Sequence, residues 1–296
     1  MILNGTTIAD TYAEAFRVRC ARIVITACDE RWAETAARVF TGYGTSFIGC
    51  DAEAGIERSL GAHETPDGRP GKAALLFGFT TGSLQKALVN RTGQCLLTSP
   101  TAAAFDGLAG AGERVPLGKE IRFFGDGFQK SKVIGGRRFW RIPVMDGEFV
   151  VEDTAGVAKA IAGGNVIIQG TSPASALEAA RRAAEAVAGH GGVIAPVPGG
   201  VVRSGSKVGS RYRALKASTN DAFCPTLRGR VARTDLVAAA TCAYEVVIDG
   251  VDEAAVAGAM RAAILAAAGP DIPCISAGNY GGKLGKFLFR LHEVLR

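Results

Sequence analysis

The sequence is poor in the residues that build metal and redox centres. It has only three histidines, His63, His190 and His292, and its seven cysteines form no CxxC pair. The cysteines are odd in number and irregularly spaced, which is typical of reduced thiols in a cytosol. No histidine lies at metal-ligand spacing from another or from a cysteine pair. The sequence therefore predicts no protein-bound metal.

Long apolar runs are absent as well. The best candidate for a membrane span, residues 254–268, contains Arg261, and no uncharged run reaches the roughly 18 residues that a membrane helix needs. The first fifteen residues contain no Lys or Arg and no apolar block, unlike a signal or transit peptide. We expect a soluble, cytoplasmic protein.

Lysine is scarce, with 10 Lys against 24 Arg in 296 residues and a formal net charge of +6. Arginine binds carboxylates and phosphates through two parallel hydrogen bonds, so this excess favours acidic ligands. The cations are dispersed, and no basic block is interleaved with aromatic residues. Nucleic acid is therefore a weak alternative ligand.

The two halves of the chain repeat one order of predicted elements. In the first half we predict strands at residues 22–27, 45–50, 73–79 and 94–98, with helices at 32–40 and around 84–88. In the second half we predict strands at residues 165–169, 192–203, 243–251 and 273–277, with helices at 175–188 and 252–268. Both halves have the order βαββαβ. The sequence predicts an α+β fold of two ferredoxin-like sandwich lobes.

A third segment lies between the halves. Residues 122–152 contain strand-like runs separated by glycine-rich turns, which are hairpin signals. We predict a β-meander that joins the lobes, and hence an N-terminal lobe at 1–121, the meander at 122–152 and a C-terminal lobe at 153–296. Ligands are expected in a cleft between the lobes.

The loop from His63 to Gly71 carries charges of both signs and is stiffened by two prolines. Its Pro-Asp-Gly sequence is also an ordinary tight turn. In the functional interpretation, Asp67 and Arg69 face the ligand cleft. The residues alone leave both interpretations open.

The run from Val201 to Asn220 contains five cations, four serines and one tyrosine. A solvated basic loop would have a similar composition, and composition alone favours that interpretation. Small hydroxyls alternating with Lys and Arg would also suit a flexible cradle for an acidic, polar ligand.

Glu245 is the most informative single residue. It lies within the predicted strand Ala243–Val251, which is otherwise apolar in this part on both faces. Burial would raise the pKa of this carboxyl toward neutrality, as a group that exchanges protons requires. The alternative is an edge-strand glutamate that faces water or pairs with an arginine.

Several long runs resemble one family. They are ADTYAEAF (9–16), TGYGTS (41–46), AEAGIE (52–57), ETPDGRPG (64–71), GQCLLTSPT (93–101), FFGDGF (123–128), RIPVMDGEFVVED (141–153), AGGN (162–165), PVPGGVVRSGSKVGS (196–210), ASTNDAFCPTLR (217–228), YEVVIDG (244–250) and ISAGNYGGKLG (275–285). Over essentially the whole chain, the sequence resembles the formylmethanofuran:tetrahydromethanopterin formyltransferase family.

The resemblance implies an enzyme without a tightly bound cofactor. Its substrates would be methanofuran-type and tetrahydromethanopterin-type coenzymes, with the formyl group moving between the amine of the first and N5 of the second. It further implies a homodimer or homotetramer. The Ala- and Arg-rich composition favours the bacterial methylotroph type, a subunit of a formyltransferase/hydrolase complex in formaldehyde oxidation. The alternatives are a formyl hydrolase and a non-catalytic scaffold or ligand-binding subunit.

The resemblance also assigns the candidate site. Glu245 is predicted to be catalytic. The predicted substrate-binding residues are Asp67, Arg69, Ser204, Ser206, Lys207, Tyr212, Ser218 and Asn220. No Ser-His-Asp or Cys-His set is evident, so we predict direct transfer rather than a formyl-enzyme intermediate.

Overall fold

The structure, a computed structural model, describes every residue from 1 to 296. The strands are β1 (Ile2–Leu3), β2 (Thr6–Ile8), β3 (Tyr12–Thr26), β4 (Glu53–Leu60), β5 (Gly71–Gly78), β6 (Ala103–Asp106), β7 (Glu113–Pro116), β8 (Lys130–Ile134), β9 (Arg137–Val144), β10 (Gly147–Glu152), β11 (Thr154–Gly170), β12 (Val193–Ile194), β13 (Lys207–Val208), β14 (Ala217–Ser218), β15 (Cys242–Gly250), β16 (Cys274–Ser276) and β17 (Phe287–Arg290). The helices are α1 (Glu30–Thr41), α2 (Thr81–Arg91), α3 (Gly118–Ile121), α4 (Pro173–Ala188), α5 (Glu253–Ala267) and α6 (Leu291–Val294).

The chain forms two compact units, and one of them is discontinuous in sequence. The central unit is Val18–Ala160, and the terminal unit combines Met1–Arg17 with Ile161–Arg296. This division differs from the linear one expected at residues 121 and 152. Both boundaries fall inside the long strands β3 and β11, whose two ends pair with different strands. Hydrophobic periodicity locates a strand but does not reveal such a change of partner.

The central unit contains the expected βαββαβ order. Its antiparallel strands lie in the order β4–β5–β3–β6, with α1 following β3 and α2 following β5. This strand order is that of a ferredoxin-like sandwich. The core between sheet and helices includes Ile23, Ile25, Phe40, Leu76 and Leu84, all fully buried.

The predicted meander is present, and it extends the sheet of the central unit. Strands β8, β9 and β10 are successive antiparallel neighbours joined by two-residue turns, and β10 pairs in parallel with β6. Gly135 and Gly136 form the first turn, where both φ angles are positive, as this type of hairpin requires. The meander therefore belongs to one unit and is not a separate connector.

The terminal unit repeats the same topology. Strands β12, β15, β11 and β16 form an antiparallel sheet in that spatial order, and β2 continues it beside β16. Helices α4 and α5 cover one face. Their buried residues are largely alanine, which lets helices pack closely on a sheet. The predicted α+β fold with two ferredoxin-like lobes is confirmed by these two units.

Helix starts follow from local chemistry. The side chains of Asp29, Thr80, Ser172 and Asp252 each accept a hydrogen bond from a backbone N–H in the first turn of α1, α2, α4 and α5. Each cap satisfies a donor that the helix itself leaves unpaired, which contributes roughly 1 kcal/mol. Val39 of α1 is apolar but 54% exposed and lies on the solvent side of the helix.

Three predicted strands were wrong. Residues 45–50 form turns, and the strand begins at Glu53 instead. Residues 94–98 continue the helical path of α2 through a π-helical turn at Thr92–Leu96. The prediction failed there because a short apolar run has the same pattern in a helix and in a strand. Of residues 192–203 only β12 is a strand, since prolines at 196 and 198 cannot donate ladder hydrogen bonds.

Candidate functional site

The sheet of the terminal unit has one apolar face and one that carries polar groups. Val166, Ile168, Val246 and Ile248 point toward α4 and α5 and form the core. Side chains alternate along a strand, so the residues between them point the other way. On that second face, Ile167 of β11 stands directly opposite Glu245 of β15.

Glu245 has no hydrogen bond or ion pair to its carboxylate. Burial raises the pKa of Glu245 to about 7, and no neighbouring positive charge offsets that effect. The side chain nevertheless remains partly exposed, at the wall of a small pocket. A carboxyl that is half protonated near neutral pH and accessible from a pocket is suited to proton transfer.

Two loop segments form the pocket around this carboxyl. Val202 exchanges two backbone hydrogen bonds with Glu245, which fixes the chain from residue 202 to 205 against β15. Asn220 joins this segment by donating its backbone N–H to the carbonyl of Ser204, at 3.2 Å. The pocket measures about 30 Å³. It is lined by Ile167, Val202, Arg203, Ser204, Gly205, Asn220, Phe223, Cys224, Ala243, Tyr244 and Glu245.

Gly205 lies close to the Glu245 carboxylate. Its φ is +56°, and a Cβ added there would be 2.8 Å from Cβ of Asn220 and 3.7 Å from Oε2 of Glu245. A side chain at this position would meet both backbone strain and a steric clash. No sequence pattern singles out Gly205, Cys224 or Ile167, because only tertiary contacts place them beside Glu245.

The predicted binding residues after position 205 lie on or near a two-stranded hairpin, β13–β14. Lys207 forms an ion pair with Asp221, and this hydrogen bond lowers the pKa of the Asp221 carboxyl. Ser218 donates its hydroxyl to the carbonyl of Gly209, while Tyr212 is 73% exposed in the connecting loop. Ser206 lies at the start of the hairpin and is half-buried.

Asp67 and Arg69 belong to the central unit and bind each other. Nε of Arg69 donates to the Asp67 carboxylate at 2.8 Å, and the hydroxyl of Thr26 donates to the same carboxylate at 2.7 Å. The remaining guanidinium nitrogens of Arg69 donate to Thr26 and to the carbonyl of Thr101. These contacts make the pair a cross-link between a loop and the end of the interior strand β3.

The glycine-rich run 281–285 is held by a buried carboxylate. Glu14 accepts hydrogen bonds from the backbone N–H groups of Tyr280, Gly282, Leu284 and Gly285. Burial alone would raise the pKa of Glu14, but these four donors outweigh it and lower the pKa. The backbone donors of this run are thus used within the protein.

Comparisons with known proteins identify the family. Two family models cover the chain: formylmethanofuran-tetrahydromethanopterin formyltransferase matches residues 1–144, and the proximal lobe of the same family matches residues 147–294. The chain belongs to the formylmethanofuran–tetrahydromethanopterin formyltransferase family. The predicted membership and the predicted enzyme class, a formyltransferase, are confirmed.

The relatives match over their full length. The formyltransferase of Methylococcus capsulatus is 56% identical, and that of Methylobacillus flagellatus is 54% identical, each with 100% of both chains covered. A crystal structure of the formyltransferase/hydrolase complex from Methylorubrum extorquens, in complex with methylofuran, superposes with a TM-score of 0.96 at 46% identity. It covers 100% of this chain and 99% of the other. The formyltransferase from Methanosarcina barkeri superposes with a TM-score of 0.94 at 47% identity, covering 99% of this chain and 100% of that one.

The formyltransferase also has a larger cavity, of about 320 Å³, in its central unit. Arg114 and Arg137 line it, and each is paired with a buried carboxylate, Asp106 and Glu152 respectively. Because these charges already satisfy one another, the cavity lacks an unpaired reactive group like Glu245. The smaller pocket is therefore the candidate site.

No cluster of three or more His, Cys, Asp or Glu side chains could hold a metal ion.

None of the helices is long and apolar enough to span a membrane.

Proposed function

We propose that this formyltransferase moves a formyl group directly between the amine of a methanofuran-type coenzyme and N5 of a tetrahydromethanopterin-type coenzyme. Family membership supports the two substrates. The observation that carries the mechanism is the unpaired, accessible carboxyl of Glu245, whose pKa of about 7 lets it both give and take a proton at neutral pH.

The reaction requires one bond to form and another to break. The acceptor nitrogen attacks the formyl carbon, and the carbonyl oxygen becomes an oxyanion in a tetrahedral intermediate. The bond from that carbon to the donor nitrogen then breaks, and the departing nitrogen takes the proton of the Glu245 carboxyl. The proton released by the acceptor nitrogen then returns the Glu245 carboxylate to its protonated form.

The oxyanion of the tetrahedral intermediate needs a hydrogen-bond donor beside the Glu245 carboxyl. We assign this role to the side-chain amide of Asn220, which lines the pocket and makes no hydrogen bond of its own within the protein. For the coenzymes we propose the other predicted residues as contacts. They are Asp67, Arg69, Ser204, Ser206, Lys207, Tyr212 and Ser218.

A covalent route through Cys224 is the competing mechanism, because this thiol also lines the pocket. Its Sγ lies 3.4 Å from the carbonyl oxygen of Asn220 and 3.9 Å from the hydroxyl of Thr219, and neither group is a base that would generate a thiolate. Formyl-labelled donor incubated without the pterin should therefore leave no label on the protein, and Cys224→Ser should keep most of the activity. Stoichiometric label that disappears in Cys224→Ser would establish the covalent route instead.

The experiment that tests the proposed function is an assay of the purified protein with both coenzymes, together with Glu245→Gln. The substitution keeps the size of the side chain but cannot exchange a proton with the departing amine. We expect kcat to fall by roughly 10²–10⁴ while KM and melting temperature at pH 5 change little. A variant that retains more than about a tenth of wild-type kcat would remove Glu245 from the proton step.

The cellular setting is also part of this proposal. We propose a cytoplasmic homodimer or homotetramer that associates with further subunits of a formyltransferase/hydrolase complex and serves formaldehyde oxidation in a methylotroph. The support is the likeness to the Methylorubrum extorquens complex and to the formyltransferases of Methylococcus and Methylobacillus. Light scattering of the purified protein, alone and after affinity purification from its source, distinguishes these assemblies from a monomer.

A further inference from the structure

The loop between β13 and β14 carries a group of cations without partners. We call residues 209–216 the hairpin tip. Arg211, Arg213 and Lys216 are all exposed there, and none has a side-chain hydrogen bond or an ion pair. Lys207 in the hairpin stem differs from them, because Asp221 neutralises it. No Asp or Glu occurs between residues 201 and 220.

The hairpin tip is nonetheless an ordered turn. The backbone N–H of Gly209 donates to the carbonyl of Lys216 at 2.8 Å, which closes the loop. The N–H of Leu215 donates to the carbonyl of Tyr212 at 2.9 Å, and the N–H of Tyr212 donates to the hydroxyl of Ser210 at 3.0 Å. Three like charges are thus held on one eight-residue turn, where they repel each other unless an anion is present.

The same hairpin leads directly into the pocket of Glu245. Its first strand begins two residues after Gly205, and its second strand ends two residues before Asn220. Both Gly205 and Asn220 line that pocket. A ligand whose reacting group sits beside Glu245 can therefore extend along the hairpin toward the tip.

We propose that the hairpin tip is an anion-capture site, which binds carboxylate or phosphate groups of a coenzyme remote from its reacting nitrogen. The inference rests on the proposed function, because it concerns the substrates of the same pocket. Arginine suits this role, since its planar fork of donors matches the oxygens of both kinds of anion. Such a site acts on capture and not on the chemical step, so its loss should raise KM and leave kcat unchanged.

The test uses a pair of matched variants of the full chain. Arg211→Gln with Arg213→Gln removes two charges from the hairpin tip. Arg261→Gln with Arg296→Gln removes two exposed, unpaired charges of the same unit that lie outside the hairpin, one on α5 and one at the last residue. For both variants, KM is measured separately for the furan and the pterin coenzyme at about 0.02 M and about 0.5 M salt.

We expect the tip variant to raise the KM of at least one coenzyme about tenfold at low salt and less than about twofold at high salt, because exposed charges are screened. The control variant should behave like the wild type. An unchanged KM for both coenzymes at low salt, or an equal rise in the control variant, overturns the proposal.

Binding without turnover separates this proposal from the proposed function. Triglutamate and inorganic pyrophosphate serve as carboxylate and phosphate probes in calorimetric titrations at low salt. We expect at least one probe to bind the tip variant about tenfold more weakly than the wild type. The probe that binds the wild type more tightly shows whether the site prefers carboxylate or phosphate. If the wild type binds neither probe, the anion-capture site is wrong even where transfer proceeds. If the wild type binds a probe but transfers no formyl group, the proposed function fails and the hairpin tip remains an anion site.

Discussion

Val202 and Glu245 exchange two backbone hydrogen bonds, 2.7 Å from the N–H of Val202 to the carbonyl of Glu245 and 2.9 Å in the opposite direction. This bridge fixes the start of the basic loop against the strand that carries the candidate proton donor. The loop is thereby anchored at one end beside the Glu245 carboxylate. The precision of the site is therefore set by the sheet, and the loop supplies the contacts around it.

The raised pKa of Glu245 predicts how pH affects stability. The folded protein holds a proton on this carboxyl up to about pH 7, whereas the unfolded chain releases it near pH 4.3. The free energy of unfolding contributed by this group should therefore fall as pH rises from about 4.5 to about 7. Glu245→Gln carries no charge, so its melting temperature should exceed that of the wild type by several degrees above pH 7 and match it near pH 4.5. Thermal unfolding across this range checks the prediction, and a difference that does not vary with pH would contradict it.

Gly205 and Gly209 form a natural pair for testing the pocket wall. Both have positive φ, +56° and +79°, but only a Cβ on Gly205 would clash with Asn220, at 2.8 Å. Alanine should therefore cost roughly 1 kcal/mol of backbone strain at either position. Only Gly205→Ala should also displace the loop from Glu245 and lower kcat/KM, by about tenfold or more. Steady-state kinetics and melting curves on both variants give the comparison, and equal kinetics in the two would show that the loop tolerates displacement.

Gln169 is expected to position the pocket from a distance. Its fully buried amide accepts from the N–H of Val237 at 2.9 Å and donates to the carbonyl of Asp235 at 3.1 Å. The N–H of Asp235 in turn donates to the carbonyl of Ala222, next to the pocket residue Phe223. Gln169→Glu loses the donor and places a carboxylate against a carbonyl, which should cost roughly 1–3 kcal/mol. We expect faster hydrogen exchange at residues 221–240 and a higher KM with kcat nearly kept. Uniformly faster exchange over the whole unit would instead indicate general destabilisation.

Arg69 can be expected to affect either substrate binding or stability, and the two roles predict different effects of Arg69→Met. As a coenzyme ligand, Arg69→Met should mainly raise KM. Because Arg69 also donates hydrogen bonds to Asp67, Thr26 and Thr101, the same substitution should mainly lower stability, by roughly 1–3 kcal/mol. The contacts lead us to expect the loss of stability together with any effect on KM. The exposed pair Arg58 and Glu64 provides the control, since solvent screens this ion pair and Arg58→Met should leave the melting temperature nearly unchanged. A raised KM at an unchanged melting temperature would establish a binding role alone.

The helices of the second half were predictable because their signals are local. Ser172 and Pro173 begin α4, and Asp252 caps α5, within one or two residues of the predicted starts. The strands that failed depend on their neighbours. Leu96, for instance, is buried as part of a helical turn, and its apolar character is the same in either structure. Local chemistry decides caps and turns, whereas packing decides the conformation of short apolar runs.

The sequence by itself determined the order of elements in the two βαββαβ repeats, though not the place of every strand. It also determined the meander, the family and the exceptional position of one carboxylate in an apolar strand. These follow from periodicity, turn residues and long family-specific runs, all of which are read along the chain. Only the tertiary structure decided that β3 and β11 each change partners midway, that Asp67 binds Arg69, that Asp221 neutralises Lys207, and that Gly205 and Asn220 enclose Glu245. The reason is that these contacts join residues far apart in sequence, and a side chain's charge state and partners depend on which surfaces folding brings against it.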